Sequence, residues 1–506
     1  MITAPLLDSP QELSAFSELQ AHFPAMFREV FSDPKAPRTV VVVPSMSLDI
    51  RELEKISGVL HYEERMLCLL MLLRQPRTEL VYVTSTPIDA SIVNYYLHLL
   101  PGVPEFHASK RLHFVSMDDP SLVPLSKKIL DRPWKLEEVR RSITYPRAAH
   151  MTVFNATAYE RSLAVRLGIP LYACDPALSH LGNKSMSRAL LRSVGLEVPY
   201  GFEDLHDSRD ISEALVAISR HDPGVHWAVL KLNDGFSGEG NAIVDIRGLS
   251  ELPSPHLEAM RRITTGLRFE ASGETWPAYE AKLAAMGGIA EAFIDEPRRR
   301  SPSVQVRINP LGDVQLISTH DQLLSGPNGQ IFEGCTFPAE RRYRADLHEA
   351  GRRIGHVLRD KGVLGRFGVD IISVPTNGGW RHYAIEINLR KGGTTLPYLM
   401  LEFLTDGSYD ARSGDFFTPT GDSRCYYATD NLVRSEYRGL TPEELIDRAV
   451  YHGLHYHAAT QQGLVFHLLG AVTEYSKIGM VSIAPTLVGA REQYERAVAI
   501  LKVATP

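Results

Sequence analysis

The chain of 506 residues is 44% apolar and 23% charged, the composition of an ordinary globular protein with room for roughly two to four domains. A formal net charge of −6 argues against a nucleic-acid-binding surface as its main function. Cys68, Cys174, Cys335 and Cys425 form no CxxC pair, so neither a disulfide framework nor a cysteine zinc site is indicated, and a reducing cytoplasm is expected.

The N-terminus lacks a basic segment followed by an apolar one. The longest apolar run, 66–73, is too short to span a bilayer, so no signal peptide and no membrane partner are expected. Residues 10–32 have the spacing of an amphipathic helix. The β-branched run 39–43 predicts a buried parallel strand. Helices near 62–74, 88–100, 134–143 and 157–167 then alternate with strands near 80–84, 112–116, 151–154 and 169–172. This alternation predicts a parallel sheet with right-handed crossovers, hence a Rossmann-like α/β domain over 1–175. No GxGxxG follows the first strand, so dinucleotide binding is not supported. The turn there, Pro44-Ser45-Met46-Ser47-Leu48, is either an anion-holding turn or a scaffold for one wall of a cleft; the scaffold is the plainer reading.

Asn183-Lys184-Ser185 opens a helix over 186–194. Residues 204–221 have helical spacing, and 226–232 read as a strand that carries Lys231 near its end. A Gly-rich loop holding Gly235, Ser237, Gly238 and Gly240 follows, and then a strand over 242–245. Such a hairpin either closes over a polyphosphate through its N–H groups or is a mobile surface turn. Residues 250–286 read as a linker or an inserted lid. An alternating strand, 288–296, carries Glu291, and 303–309 with 314–318 form a hairpin across a Pro-Leu-Gly-Asp turn. A helix over 345–361 precedes a strand that bears Asp370. The last segment, 425–506, changes character and holds His452, His455, His457 and His467. Histidine zinc binding and ordinary packing both fit that spacing.

The most informative stretch is 382–397, HYAIEINLRKGGTTLP. On a strand, Tyr383, Ile385, Ile387 and Leu389 face one way, and Ala384, Glu386, Asn388 and Arg390 the other. A row with a carboxylate, a carboxamide and a guanidinium is costly to bury unless paired or bound to an ion. Glu386 and Asn388 are oxygen ligands of the kind Mg²⁺ takes, and Arg390 has the fork to meet a phosphate bidentately. The turn after it, Lys391-Gly392-Gly393-Thr394-Thr395, allows backbone N–H groups to approach an anion. A solvated edge strand is the bland alternative.

Lys184, Lys231, the Gly-rich hairpin, the Glu291 strand, Asp370 and the Glu386/Asn388/Arg390 row, in that order, resemble the ATP-grasp superfamily of carboxylate–amine ligases. The paired lysines, the NLRKGGTT ending and the GLVFHLL and GMVSIA stretches of the tail are similar to the pheganomycin-type peptide ligases. The resemblance implies a mixed α/β and α+β fold. A Rossmann-like pre-ATP-grasp domain covers 1–175, an ATP-grasp domain 176–424, and a small α+β C-terminal domain 425–506. It implies ATP and Mg²⁺ as cofactors, with one or two ions and Mn²⁺ as an alternative. Lys184 and Lys231 would meet the nucleotide phosphates; Gly235, Ser237, Gly238 and Gly240 would form their lid. Glu291 would face the adenine amino group, and the backbone around Ala292, Phe293 and Ile294 would form the hinge. Asp370, Glu386 and Asn388 would hold the metal, and Arg390 with Lys231 would act in catalysis. Arg307 and His320 would touch the acyl substrate.

The implied reaction joins a small-molecule carboxylate to an amine or peptide through an acyl phosphate, releasing ADP and phosphate. Homo-oligomerisation is left open. Two alternatives stand beside it: a phosphotransferase with a hydroxyl acceptor and His320 or Asp321 as base, and a non-catalytic nucleotide-binding protein.

Overall fold

A computed structural model of the chain describes residues 7–235, 240–271, 273–326 and 329–501. Strands β1 (Arg38–Val43), β2 (Thr78–Thr84), β3 (Leu112–Ser116) and β4 (Ala149–Val153) form a parallel sheet in the order β3-β2-β1-β4. Every residue of β1 is buried, as a strand covered on both faces requires. Val41 and Val43 join a core with Phe16, Ile129 and Leu163, whereas Val40 and Val42 pack with Leu67, Leu70 and Tyr96. The helix Pro10–Phe31 matches its predicted span. The helix expected near 62–74 is a long 3₁₀ winding, Val59–Arg74. The strand expected near 169–172 is only a bridge, Met151↔Leu171, because Ile169 and Leu171 are bounded by Gly168 and Pro170. The Ser-rich turn after β1 is closed on itself. Ser45 and Ser47 hydroxyls lie 2.8 Å apart, and Ser47 donates to Glu160 at 2.5 Å. Its hydroxyls are engaged in holding the loop, which makes it a scaffold and not an anion site.

The second layer is a five-stranded antiparallel sheet in the order β5-β9-β6-β7-β8. Its members are β5 (Gly201–Leu205), β6 (Trp227–Leu232), β7 (Asn241–Asp245), β8 (Arg268–Phe269) and β9 (Gly288–Ala292). Residues 250–286, expected as a linker or an inserted lid, are packed secondary structure. They form the helices Pro255–Gly266 and Trp276–Met286, which insert Ala259, Ile263, Tyr279 and Leu283 into the core of this sheet with Leu230, Val244 and Ala290. Each helix buries a pair of residues four apart, a narrow stripe that surrounding charges disguise.

The third layer is an eight-stranded antiparallel sheet in the order β14-β13-β10-β11-β12-β17-β19-β18. It contains β10 (Pro302–Ile308), β11 (Val314–Ser325), β12 (Ile331–Phe337), β13 (Gly365–Thr376) and β14 (Gly379–Asn388). A ribbon of β15 (Ser408–Asp410) and β16 (Asp415–Phe417) leads into the C-terminal segment. There β17 (Cys425–Val433), β18 (Gly463–His467) and β19 (Lys477–Ala484) continue the same sheet, flanked by the helices Pro442–Tyr451 and Leu487–Ile500. The helix Arg344–Asp360 packs Leu347, Ile354 and Leu358 against Val304, Val306 and Phe367. Gly351 permits this closeness, since a Cβ there would lie 2.9 Å from Val304. Among the described residues no helix is long and apolar enough to cross a membrane.

Candidate active site

Between the five-stranded and eight-stranded sheets lies a cleft of about 450 Å³. Its floor is β13 and β14. Asp370 faces Glu386, and Gly368 faces Asn388. One register step is lost between Asp370 and Ile371, so Ile371 faces Ala384 and Ile385 is an extra residue. This bulge corrects the simple alternation expected for the strand. Ala384 drops into the core beside Ile387, while Ile385, Glu386, Asn388 and Arg390 line the cleft. Bulges re-aim side chains in this way beside active sites.

The carboxylates are knitted together. Gln322 donates to Asp370 at 2.7 Å, and the Asn388 amide donates to Asp370 at 2.9 Å and to Glu386 at 3.0 Å. Lys184 ion-pairs with Glu386. Burial, with Glu386 alongside, pushes the Asp370 carboxyl upward. Burial acts the same way on Glu386, but Lys184 and Lys231 overcome it and hold Glu386 below the usual carboxylate range. Two adjacent acids of which one resists ionisation form a place for a divalent cation. The donor set is hard oxygen, and a half-turn of the Asn388 amide presents its Oδ1 inward. The residues therefore fit Mg²⁺. Among the described residues no group of three or more His, Cys, Asp or Glu could hold a metal ion.

Local structure fixes Lys184. Asn183 caps the helix Lys184–Ser193 by accepting from Met186 N–H at 2.7 Å, and the Ser187 hydroxyl accepts from Ile387 N–H at 3.2 Å. Asn233, after β6, accepts from Ser185 N–H at 3.0 Å and donates to the Met286 carbonyl at 3.0 Å. It thus joins the start of that helix to the Gly-rich loop, a role its sequence gave no hint of. Gly235 and Gly240 line the cleft. Ser237 and Gly238 lie outside the described residues.

Lys231 reaches Glu291 at 2.7 Å, and Arg188, with no exposed surface, pairs with the same carboxylate. Both oxygens of Glu291 are therefore engaged with cations, and a base would meet it only through its remaining lone pairs. Ala292, Phe293 and Ile294 also line the cleft. Ala292 N–H donates to the Tyr200 carbonyl at 2.8 Å, and the Ile294 carbonyl accepts from Arg299 at 2.5 Å. Arg299 lies 4.8 Å over the Phe293 ring and braces this segment from below.

Arg390 caps the far end of the row, with its guanidinium carbon 6.0 Å from the Phe154 ring centre. The turn after it is anchored more than it is open. Lys391 donates to Thr152 at 3.0 Å and to the Val153 carbonyl at 2.5 Å, and burial pushes its ammonium down to about 7. Gly392 N–H is taken by Thr395 at 3.0 Å. Gly393 is required because a Cβ would meet Phe332 at 2.3 Å.

Two expected substrate contacts are not brought to the cleft. Arg307 pairs with Gln315 at 2.8 Å, opposite Arg366. His320 shares the face of Gln322, but Tyr426 accepts or donates at 2.6 Å and, with Phe337, covers it completely. Burial holds its imidazole neutral, pushed down to about 3. Asp321 points to the opposite face, where it accepts from Glu340 N–H at 2.8 Å and Tyr343 at 2.5 Å. Neither proposed base for a hydroxyl acceptor reaches the cleft.

Two antiparallel sheets closing on a lysine-, glycine- and carboxylate-lined cleft, behind a parallel α/β domain, define a nucleotide-grasping protein. Part of the chain matches the ATP-grasp superfamily. The IQCH-like ATP-grasp family matches residues 255–412, and the PGM1 C-terminal domain family matches 444–497. The L-propargylglycine–L-glutamate ligase of Streptantibioticus cattleyicolor is 29% identical over 459 residues, spanning 88% of this chain and 90% of that protein. IQ motif-containing protein H of Danio rerio is 22% identical over 515 residues; the match covers 92% of this chain but 48% of that protein. Among solved structures, the biotin carboxylase domain of Hydrogenobacter thermophilus 2-oxoglutarate carboxylase, in complex with MgADP, ADP and bicarbonate, has a TM-score of 0.56. It is 13% identical and covers 91% of this chain and 89% of its own. Campylobacter jejuni biotin carboxylase, in a β,γ-ATP complex, has a TM-score of 0.52 at 12% identity, covering 92% and 91%. The solved structures establish the fold.

Proposed function

We propose that the protein is an ATP-dependent carboxylate–amine ligase that forms a peptide bond through an acyl phosphate. The observation that carries this reading is the single row Asp370, Glu386, Asn388 and Arg390, set opposite Lys184 and Lys231 across one cleft. The similarity to a peptide-forming ligase along nearly the whole chain supports it. Asp370, Glu386 and Asn388 would hold one or two Mg²⁺ ions, with Mn²⁺ as an alternative; the metal supplies charge neutralisation at the phosphates. Lys184 and Lys231 meet phosphate oxygens. A substrate carboxylate oxygen bonds to the γ-phosphorus as the bridging bond to ADP breaks. The amine lone pair then bonds to the acyl carbon as the carbon–oxygen bond to phosphate breaks, and the nitrogen gives up a proton. Arg390 faces the charge that develops in both steps. A cytoplasmic setting fits the four free cysteines, three of them buried.

Incubation with ATP, Mg²⁺, hydroxylamine and a library of amino acids and peptides tests the reading. A carboxylate-dependent hydroxamate and, without hydroxylamine, amine-dependent release of ADP and phosphate are expected. A phosphorylated hydroxyl product, or no turnover, overturns it.

Lys231→Ala should raise the ATP dissociation constant at least about tenfold, near 1.4 kcal/mol, by calorimetry. Arg188 still neutralises Glu291, so the sheet remains folded. An unmoved affinity would make Lys231 a brace for Glu291 alone.

A further inference from the structure

Asp370 is held by a residue from outside its own hairpin. Its strand, β13, pairs with β14 on one side and β10 on the other, and β11 lies beyond β10. Gln322 stands on β11, so its side chain crosses β10 to donate to Asp370 Oδ1 at 2.7 Å. Ser303 leaves room for the crossing. It is the register partner of Asp370 on β13 and of His320, two residues before Gln322, on β11. It is short and fully buried, and its hydroxyl has no hydrogen-bond partner among the described residues, so it does not draw the Gln322 amide away. The backbone of Gln322 is fixed too. Its N–H donates to the Ser301 carbonyl at 3.0 Å, and it faces Cys335 of β12 in the sheet. The two oxygens of Asp370 thus carry different donors: Oδ1 takes Gln322, and Oδ2 takes the Asn388 amide at 2.9 Å. When Asn388 turns its own oxygen towards a metal, Oδ2 is released and Oδ1 stays held.

We infer that Gln322 is a positioning residue that selects the metal: it makes Asp370 offer a single oxygen, which suits Mg²⁺ and disfavours the larger Ca²⁺. This deepens the ligase reading and rests on its metal assignment. Mg²⁺ demands near-octahedral geometry and keeps several waters, whereas Ca²⁺ gathers more oxygens and readily takes both from one carboxylate. To chelate through both oxygens, Asp370 would have to turn away from Gln322 and leave that amide N–H unbonded at the cleft floor. Gln322 is neutral, so it imposes this geometry without changing the charge that attracts either ion. Glu386 is held differently, by the charge of Lys184 and by the same Asn388 amide that turns to the metal. The discrimination therefore sits on Asp370. A neighbouring group that orients a ligating side chain typically changes metal affinity about 10–100-fold.

The test follows Mn²⁺ bound to the full-length protein with saturating ADP by electron paramagnetic resonance, corrected for the ion that ADP alone holds, and displaces it with Mg²⁺ or Ca²⁺. In the wild type Mg²⁺ should displace it at a concentration at least about tenfold below that of Ca²⁺. In Gln322→Met, which keeps the length and removes the donor, that ratio should shrink at least about tenfold. Equal displacement by the two ions in the wild type overturns the inference. So does a Gln322→Met protein in which both ions weaken by the same factor, the mark of a residue that only braces the sheet. Absence of any protein-bound Mn²⁺ overturns it together with the metal assignment. Hydroxamate formation reads ligation separately, so its absence beside an intact ion preference overturns the ligase reading alone. The wild-type comparison decides even if the variant does not fold.

Discussion

Glu386→Gln is expected to lower kcat at least about 10³-fold, roughly 4 kcal/mol of barrier, with the fold retained. The substitution is isosteric and keeps a side-chain oxygen, so packing is undisturbed: Ala384 and Ile387 remain in the core on either side. What changes is charge. Lys184 loses its ion-pair partner, and the Asp370–Asn388 hydrogen bond at 2.9 Å is left beside a neutral amide. A hard divalent ion is held by oxygen charge more than by shape, so one carboxylate fewer weakens its binding. Lys184, no longer neutralised, also adds a positive charge at the metal position. The melting temperature should move by no more than about 3 °C. Steady-state kinetics at saturating ATP over a Mg²⁺ titration check both halves. Turnover within about tenfold of wild type would remove Glu386 from the metal site.

Most of the architecture was legible because it rests on local periodicity. The buried run in β1, the alternation behind it and the row Glu386, Asn388, Arg390 all follow from side-chain direction along one element. What escaped depends on partners that sequence does not bring near. The bulge at Ile385 is set by pairing with β13, and it moves Ala384 to the other face. His320 sits on the correct face, two residues from Gln322, yet Tyr426 covers it from 106 positions away. Arg188 reads as a surface charge on a helix but is buried against Glu291, 103 positions on. The Arg65–Asp430 pair joins residues 365 apart, and Lys477 to Tyr62 spans 415. In each case one side chain is ordinary and only the pair is informative. The segment 250–286 failed differently: its buried stripe is too narrow to outweigh the charges around it.

Arg390 provides the second large effect and separates charge from geometry. Burial favours its neutral form, while Glu386 and Asp370 pull the other way, so it stays a cation placed by the same acids that would hold the metal. Its Nη1 donates to the Lys391 carbonyl at 3.3 Å, and its face lies towards Phe154. A planar fork fixed at two edges can present parallel N–H groups to a phosphoryl oxygen pair; an ammonium cannot. Arg390→Met should therefore cost about 10³-fold in kcat and Arg390→Lys about 10²-fold, the range for removing a preorganised donor at a developing charge. ATP affinity should stay within about threefold in both, because Lys184 and Lys231 remain. Hydroxamate formation should fall in parallel with kcat, since Arg390 faces the phosphoryl transfer as well as the amide-forming step. If hydroxamate yield is intact while amide formation fails, Arg390 serves only the second step. If Arg390→Met turns over within about tenfold of wild type, the transferring phosphate lies elsewhere in the cleft.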